Sequence, residues 1–320
     1  METRVTKLLG TQYPMLQGGM AWVAENTLAS SVSNAGAVGI IAGGNAPIDY
    51  LREQIRLCKE KTNKPFGVNI MLQSPNADDL AQLVVEEKVP LVTTGAGNPG
   101  KYMQAWKEAG VLVIPVVASV ALAKRMERDG ADAIIAEGQE SGGHIGNNTT
   151  MCLVPQVVDA VDVPVLAAGG IADGRGIAAT FMLGAEGIQV GTRFLASEEA
   201  QIHPKYKELV VKAKDTDNQV TGFYSGSPCR CVKTKYTKKL QAMEKAACPP
   251  EDFEAVTVGS LRKAVQDGNV DEGSFLCGLD AGMIHDVKPC KDIIEDMWAQ
   301  AEDLLAGTKL YEELEARARA

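Results

Sequence analysis

The segment PVLAAGGIADGRGIAATFMLGAEGIQVGTRF (164–194) contains two apolar runs that each end in glycine and polar residues. The runs PVLAAGG (164–170) and GIQVGTRF (187–194) have the length and composition of buried strands, and the residues between them read as a helix. Near-continuous apolar strands joined by helices are typical of a parallel sheet covered on both faces. The segment therefore predicts consecutive βα units.

The same unit occurs six times before this segment. The earlier candidate strands are PMLQGG (14–19), VGIIAGG (38–44), FGVNIML (66–72), LVTTGAG (91–97), VLVIPVVA (111–118) and AIIAEG (133–138). Eight units in this length favour an α/β fold of the TIM-barrel type, (β/α)8, over a doubly wound sheet. Polar and glycine residues follow most of the runs, at the strand ends where barrel enzymes place their chemistry.

The regular alternation ends after the eighth strand, which suggests a second unit. We expect the barrel to comprise 1–196 and to be completed by helices within 258–320. Residues 197–257 read as a cap of helices and loops inserted over the barrel mouth. The amphipathic tail 290–320 is expected to pack on the barrel or on a second subunit.

Charge and composition exclude several classes of protein. The chain has 320 residues and a net charge of −9, so its surface as a whole repels nucleic acid and anionic membranes. No apolar run approaches the roughly 18–20 residues of a membrane helix, and METRVTKLLGTQYP (1–14) does not read as a secretory signal. The seven cysteines show no disulfide or zinc framework, since Cys229 and Cys231 form a lone C-x-C. We expect reduced thiols in a cytoplasmic protein.

The glycine turns after strands seven and eight occupy the usual phosphate position of TIM barrels. The backbone amides of Gly170, Gly191 and Thr192, with the start of a short helix, would hold a phosphate without a lysine. The alternative is two tight turns with no ligand. The pattern favours a phosphorylated ligand without identifying it.

Three side chains at the strand ends could recognise a flat heterocycle. Asn69 and Gln189 can donate and accept hydrogen bonds, and Glu137 can accept them, although each could instead satisfy nearby backbone. No nucleophile, metal cluster or paired-carboxylate motif is evident. A phosphate site with so little acid–base machinery suggests that a cofactor performs the difficult chemistry.

The stretch AEGQESGGHIG (136–146) places His144 among four glycines. Glycines allow a backbone to approach a ligand closely, but a flexible surface turn that includes a histidine would look the same. His144 is also the titratable group of the cluster expected to have a pKa near 7, which would suit proton transfer or polarisation.

Seven motifs in one order and spacing carry a resemblance to a known family. They are PMLQGGMAWVA, KPFGVNIML, TTGAGNP, PVVASVALAKRME, AEGQESGGHIG, AAGGIADG and GAEGIQVGTRF, and the match extends through GSLRKAVQDGNVDEGS. The chain resembles the enoyl-acyl-carrier-protein reductase II family, flavin-dependent enzymes of bacterial fatty-acid synthesis. The nitronate monooxygenases (2-nitropropane dioxygenase-like superfamily) are related and share the barrel, the FMN site and the E-x-G-G-H core.

The resemblance implies an FMN site and indicates which residues would form it. Around the ring and ribityl chain it implies Gly18, Gly19, Met20, Asn69, Glu137, Gly142 and Gly143, and at the phosphate end Gly170, Gln189, Val190, Gly191 and Thr192. His144 corresponds to the functional histidine of the family, with either a proton-transfer role or an orienting one. The resemblance also implies NADH or NADPH as electron donor, an acyl carrier protein bearing the enoyl thioester as partner, a monovalent cation requirement and a homodimer.

Two features depart from the family pattern or go beyond it. In CGLDAG (277–282), Leu279 stands where relatives carry glutamine. In the expected cap, Arg230, Lys233, Lys235, Lys238 and Lys239 form a basic segment without an acid. The segment reads either as a solvated helix face or as a docking site for the acidic carrier protein or for the pyrophosphate of a nicotinamide cofactor.

Three functions remain open on this reading. The first is an enoyl-acyl-carrier-protein reductase, and the second is a nitronate monooxygenase that uses FMN and oxygen. The third is a flavin-binding barrel without turnover.

Overall fold

A computed structural model of the chain describes residues 2–307. Its main sheet has eight parallel strands in the order β1-β9-β8-β6-β5-β4-β3-β2, and a parallel bridge from Leu16 to Val38 brings its two ends together. The strands are β1 (Met15–Gln17), β2 (Gly39–Ala42), β3 (Phe66–Met71), β4 (Leu91–Gly95), β5 (Leu112–Val117), β6 (Ile134–Glu137), β8 (Val165–Ala168) and β9 (Gly187–Val190). The (β/α)8 barrel is confirmed, and each predicted strand is present with narrower bounds. The largest difference is at 187–194, where the strand ends at Val190 and a helix begins at Thr192.

Helices surround the barrel and extend over its mouth. They are α1 (Arg4–Leu9), α2 (Asn26–Asn34), α3 (Ile48–Lys61), α4 (Ala77–Glu86), α5 (Gly100–Glu108), α6 (Val120–Arg128), α7 (Thr150–Val158), α8 (Gly174–Met182), α9 (Thr192–Leu195), α10 (Pro204–Val211), α11 (Lys235–Lys245), α12 (Pro250–Thr257), α13 (Ser260–Asp267) and α14 (Cys290–Leu305), with a 3-10 helix at Leu279–Met283. Several begin at side-chain caps, such as Asp173, which accepts from the N–H groups of Arg175 and Gly176 at the start of α8.

The barrel interior is packed with apolar side chains and is closed at one end. Leu16, Ile40 and Leu166 are fully buried in one cluster, which also contains Val5 and Leu9 of α1. The first helix therefore covers the amino-terminal end of the barrel, and any large ligand must occupy the opposite end.

The cap contains strands that the sequence analysis did not predict. β10 (Asn218–Thr221) and β11 (Cys229–Val232) form an antiparallel pair, and β7 (Gly143–His144) adds to β11 as a third strand. The two cap strands have four residues each and include polar side chains, so their pattern resembles a loop. The cap thus contains two short strands in addition to the helices and loops that were predicted.

The final helix of the described chain packs on the barrel rather than extending away. A Cβ added to Gly174 at the start of α8 would lie 2.5 Å from the backbone nitrogen of Ala301 in α14, so the two helices are in close contact. The division at 196 and 257 stays a prediction, and the end of the amphipathic tail (308–320) lies outside the described residues. Within residues 2–307 no helix is long and apolar enough to cross a membrane.

Candidate functional site

A cavity of about 530 Å³ opens at the carboxyl ends of the barrel strands. Every residue expected at a ligand site lines it: Gly18, Gly19, Met20, Asn69, Glu137, Gly142, Gly143, His144, Gly170, Gln189, Val190, Gly191 and Thr192. The volume is within the range of small-molecule sites, about 300–1,000 Å³. The structure thus brings the predicted residues together, while their individual roles stay predictions.

The phosphate end of the predicted site consists of backbone with little side chain. Gly170 adopts a left-handed φ of 79°, and Gly191 precedes α9. A Cβ at Gly191 would meet only the sulfur of Met20, at 3.7 Å, and its Cγ, at 4.0 Å, so the space beside this backbone belongs to the cavity. The first N–H groups of α9 have no partners within the helix, which suits them to an anion.

Asn69 supports the loop that follows β1. Its Nδ2 donates to the hydroxyl oxygen of Thr93 at 2.9 Å, which fixes the amide. A Cβ at Gly19 would lie 2.3 Å from the Cβ of Asn69, so only glycine lets the loop pass over this side chain. Gly19 is therefore required by the protein's own packing as well as by any ligand.

Gln189 has a buried amide oxygen without a hydrogen-bond partner. Gly18 lies against this side chain, since a Cβ there would be 3.5 Å from the Gln189 Cδ. An unpaired buried acceptor is unfavourable in the protein alone. A ligand N–H group in the cavity would satisfy it.

Two carboxyl groups face the cavity with raised pKa values. Burial raises the pKa of Glu137 to about 7, partly opposed by a hydrogen bond from Ser141. Burial also raises the pKa of Asp280 to about 7, opposed by a hydrogen bond from Thr192. Near neutral pH each carboxyl is therefore protonated in a large fraction of molecules and can donate a hydrogen bond.

Asp280 was not predicted as a site residue, although the CGLDAG stretch (277–282) that contains it departs from the family pattern. Asp280 lies in the 3-10 helix and is 5 % exposed, with one carboxylate oxygen unpaired. No local motif marks a single aspartate that reaches the cavity from the distant end of the chain. The neighbouring Leu279, at the position of the family's glutamine, is 41 % exposed and is absent from the cavity wall.

His144 lies at the cavity wall, and its pKa differs from the expectation. Part of its side chain is open to solvent, but the surrounding protein removes enough water from the ring to lower its pKa below the usual value. The imidazole is therefore neutral at pH 7. The expectation that His144 is the group with a pKa near 7 was wrong; that property belongs to Glu137 and Asp280.

The glycines around His144 are explained mainly by contacts within the protein. A Cβ at Gly138 would lie 2.1 Å from the Thr150 hydroxyl oxygen, and a Cβ at Gly142 would lie 2.6 Å from the carbonyl carbon of Cys277. The loop is thus packed closely between neighbouring segments and is not a flexible surface turn. Gly142 and Gly143 also line the cavity, so the same loop is placed where its backbone could approach a ligand closely.

Arg230, in cap strand β11, forms hydrogen bonds with the loop that precedes His144. It is buried, and its guanidinium Nε and Nη2 donate to the carbonyl oxygen of Gln139 at 3.2 and 3.0 Å. It therefore does not belong to the exposed basic segment, a correction to the sequence analysis. The remaining residues of that segment, Lys233, Lys235, Lys238 and Lys239, are exposed.

Across the described part of the chain, no group of three or more metal-ligating side chains is assembled.

Comparison with known proteins gives the family. The family model described as nitronate monooxygenase matches residues 2–86 and 79–300. A dehydrogenase of Rhodococcus jostii, named for a hydroxy-methyl-oxo-octahydroindene-carboxyl-CoA, is 32 % identical over 94 % of this chain and 96 % of its own. A probable nitronate monooxygenase of Staphylococcus saprophyticus is 31 % identical over 95 % and 99 %.

Among solved structures, FabK from Thermotoga maritima superimposes with a TM-score of 0.95. It is 53 % identical, and the match covers 97 % of this chain and 99 % of that one. The nitroalkane oxidase of Streptomyces ansochromogenes matches with a TM-score of 0.83 at 26 % identity, over 93 % and 98 % of the two chains. The fold and the cavity define a TIM-barrel oxidoreductase. The chain belongs to the nitronate monooxygenase family, and the resemblance seen in its motifs is confirmed.

Proposed function

We propose that this chain is an FMN-dependent reductase of 2-enoyl thioesters, with NADH or NADPH as electron donor and a thioester on an acyl carrier protein as substrate. The observation that carries the proposal is the likeness to FabK, an enoyl-acyl-carrier-protein reductase II, at 53 % identity over nearly the whole of both chains. The named substrate of the Rhodococcus jostii relative is also a CoA thioester.

The cavity suits FMN on the evidence of its own residues. Bare backbone at Gly170, Gly191 and Thr192 would take the phosphate, and the unpaired oxygen of Gln189 would accept from a ring N–H group. Gly18, Gly19 and Met20 would lie along the ring and ribityl chain with Asn69. Bound there, FMN would supply two-electron hydride chemistry that no side chain of the protein can provide.

The protein's own task is then to bind the thioester and to control a proton. Reduction of an enoyl thioester places negative charge on the thioester oxygen and requires a proton at Cα. The neutral imidazole of His144 can donate an N–H hydrogen bond towards that oxygen, which stabilises developing charge without an exchange of protons. Glu137, with its pKa of about 7, holds a proton near neutral pH in the same cavity.

Docking of a carrier protein would use the remaining basic residues of the cap. Lys233, Lys235, Lys238 and Lys239 are exposed, on or next to α11. The Nζ of Lys235 lies 3.7 Å from the Oδ1 of Asp271, so its charge is partly neutralised within the protein. Lys238 and Lys239 are therefore the better candidates for contact with an acidic partner. Such rim charges act mainly on association. The homodimer and the monovalent cation requirement stay expectations from the resemblance.

The second candidate is a nitronate monooxygenase, favoured by the family model and by the Staphylococcus saprophyticus relative. In that case His144 would manage the proton of a nitronate and oxygen would be the second substrate. A non-catalytic flavin-binding barrel is the third and least favoured, because a histidine and two carboxyl groups of raised pKa face the cavity.

Steady-state turnover separates these candidates. NADH consumption under argon should depend on crotonyl-N-acetylcysteamine and yield the butyryl thioester. In a parallel assay in air, a nitronate monooxygenase would instead consume oxygen with a nitronate and ignore the thioester, and a binding protein would do neither.

A further inference from the structure

The cavity wall offers little positive charge. Among residues 2–307, it contains neither lysine nor arginine, and its acidic groups are Glu137 and Asp280. Both the nicotinamide cofactor and a carrier-bound or CoA thioester bear phosphate groups some distance from their reacting atoms. If either ligand places its reacting end in this cavity, a cation near the mouth would be well placed to bind its phosphate.

One arginine follows a residue of the cavity wall and is stacked on a tryptophan. Leu261 of α13 lines the cavity, and the guanidinium carbon of the next residue, Arg262, lies 4.8 Å from the ring centroid of Trp22. Trp22 follows Ala21, which also lines the cavity. The stack therefore joins the loop after β1 to α13, and each of its two residues is next in the chain to a residue of the cavity wall.

The tryptophan is held in a conformation that bulky side chains avoid. Trp22 has a φ of 64°, and the turn that contains it is fixed by backbone hydrogen bonds from Val23 and Ala24 to the carbonyl of Met20. A left-handed backbone at a tryptophan is unfavourable and persists only where the surroundings impose it. Here it positions the indole face beneath the guanidinium.

The guanidinium keeps unused hydrogen-bond donors. Its Nε donates to the side-chain oxygen of Gln266 at 2.7 Å, and within residues 2–307 it forms no ion pair with a carboxylate. Arg262 is exposed. Stacking on an aromatic ring fixes the plane of a guanidinium and leaves its edge free, a geometry suited to phosphate.

We infer that Arg262, stacked on Trp22, is a phosphate-binding site at the cavity mouth. It would hold the phosphate-bearing arm of a ligand whose reacting end lies in the cavity. The source is either the diphosphate of a nicotinamide dinucleotide or the phosphate of a pantetheine arm. The inference rests on the proposed function for the identity of these ligands, and its test below does not depend on turnover.

Binding to the FMN-loaded protein, measured by calorimetry, tests the inference with two pairs of compounds. ADP-ribose is compared with adenosine, and coenzyme A with pantetheine, so that each phosphate ligand has a phosphate-free counterpart. Arg262→Gln should weaken binding of at least one phosphate ligand roughly three- to tenfold, and Arg262→Lys should weaken it less. Loss confined to ADP-ribose assigns the nicotinamide cofactor, and loss confined to coenzyme A assigns the thioester.

Lys263→Gln is the matched control, because Lys263 is the next residue on the same helix and already pairs with Glu272. Equal effects of Arg262→Gln and Lys263→Gln would overturn the inference, as would equal weakening of the phosphate-free ligands. The stack would then only fasten α13 to the rim. A protein that binds a phosphate ligand through Arg262 but reduces no thioester would refute the proposed function and leave this site intact.

Discussion

His144 and Cys229 are directly opposite each other where β7 pairs antiparallel with β11. The histidine at the cavity is therefore held by a strand of the cap and not by the barrel alone. Directly opposed residues project to the same face of a sheet, so the position of the imidazole depends on the order of β11. Arg230, next to Cys229, strengthens this link through its hydrogen bonds to Gln139.

His144→Ala should retain the fold and the flavin and lower thioester reduction by about 10²–10⁴-fold, the usual contribution of a positioned polar or acid–base group. Stopped-flow absorbance separates the two half-reactions. His285→Ala is the control, because His285 is exposed and lies outside this cavity. If only the nicotinamide half-reaction slows, His144 does not act on the thioester.

Gly191→Asp should weaken retention of FMN, because it places a carboxylate beside the phosphate position. Gly191→Ala separates charge from bulk, since a Cβ there makes only ordinary contacts with Met20. We expect alanine to retain most of the flavin, and aspartate to lose about tenfold or more in affinity, as for a close like-charge pair. Flavin content after gel filtration gives the answer, and equal retention by both variants would place the phosphate elsewhere.

Glu137→Gln should stabilise the flavin-free protein at high pH. The folded pKa of Glu137 is raised from 4.5 to about 7, so the folded state keeps a proton that the unfolded state loses within this interval. The free energy of unfolding of the parent therefore falls as the pH rises through the interval, and the loss is complete above it.

Glutamine removes this penalty, with a gain of about 1–3 kcal/mol near pH 8 and little change near pH 4. Urea denaturation at the two pH values measures the difference. Glu53→Gln controls for the loss of a carboxylate outside the cavity, because Glu53 is an exposed residue of α3. A gain of the same size at both pH values would show that the effect is not electrostatic.

The double change Lys238→Glu and Lys239→Glu should raise KM for an enoyl-carrier protein several-fold at low salt and leave kcat nearly unchanged. Added salt should reduce the difference. Lys64→Glu provides the control, since this exposed residue precedes β3 at the other end of the barrel. An equal effect on crotonyl-N-acetylcysteamine, which carries no protein, would exclude docking.

The barrel could be predicted from sequence because a short, local pattern of residues marks each of its strands. Each strand is an apolar run such as VGIIAGG, and parallel strands must present their carboxyl ends at one edge, so the residues after those runs converge. That reasoning located Asn69, Gln189 and Gly191 at one cavity without any knowledge of their distances.

The features that were missed depend on distant contacts. Asp280 reaches the cavity from beyond the cap, and Arg230 looks like part of a basic surface run until it is seen buried against Gln139. Burial raises the pKa of Glu137 and lowers that of His144, and no local sequence pattern reveals how deeply either group is buried. The sequence placed both residues at the cavity but did not indicate that burial raises the pKa of Glu137 to about 7.

The most direct test of the central claim is an anaerobic double-mixing experiment on the purified flavoprotein. The protein is first reduced with one equivalent of NADH or NADPH and then mixed with crotonyl-N-acetylcysteamine in one run and propyl-2-nitronate in another. We expect the flavin absorbance to return with the thioester, with one equivalent of butyryl thioester formed. Absorbance that returns only on admission of oxygen, with the thioester unchanged and the nitronate consumed, would contradict the claim.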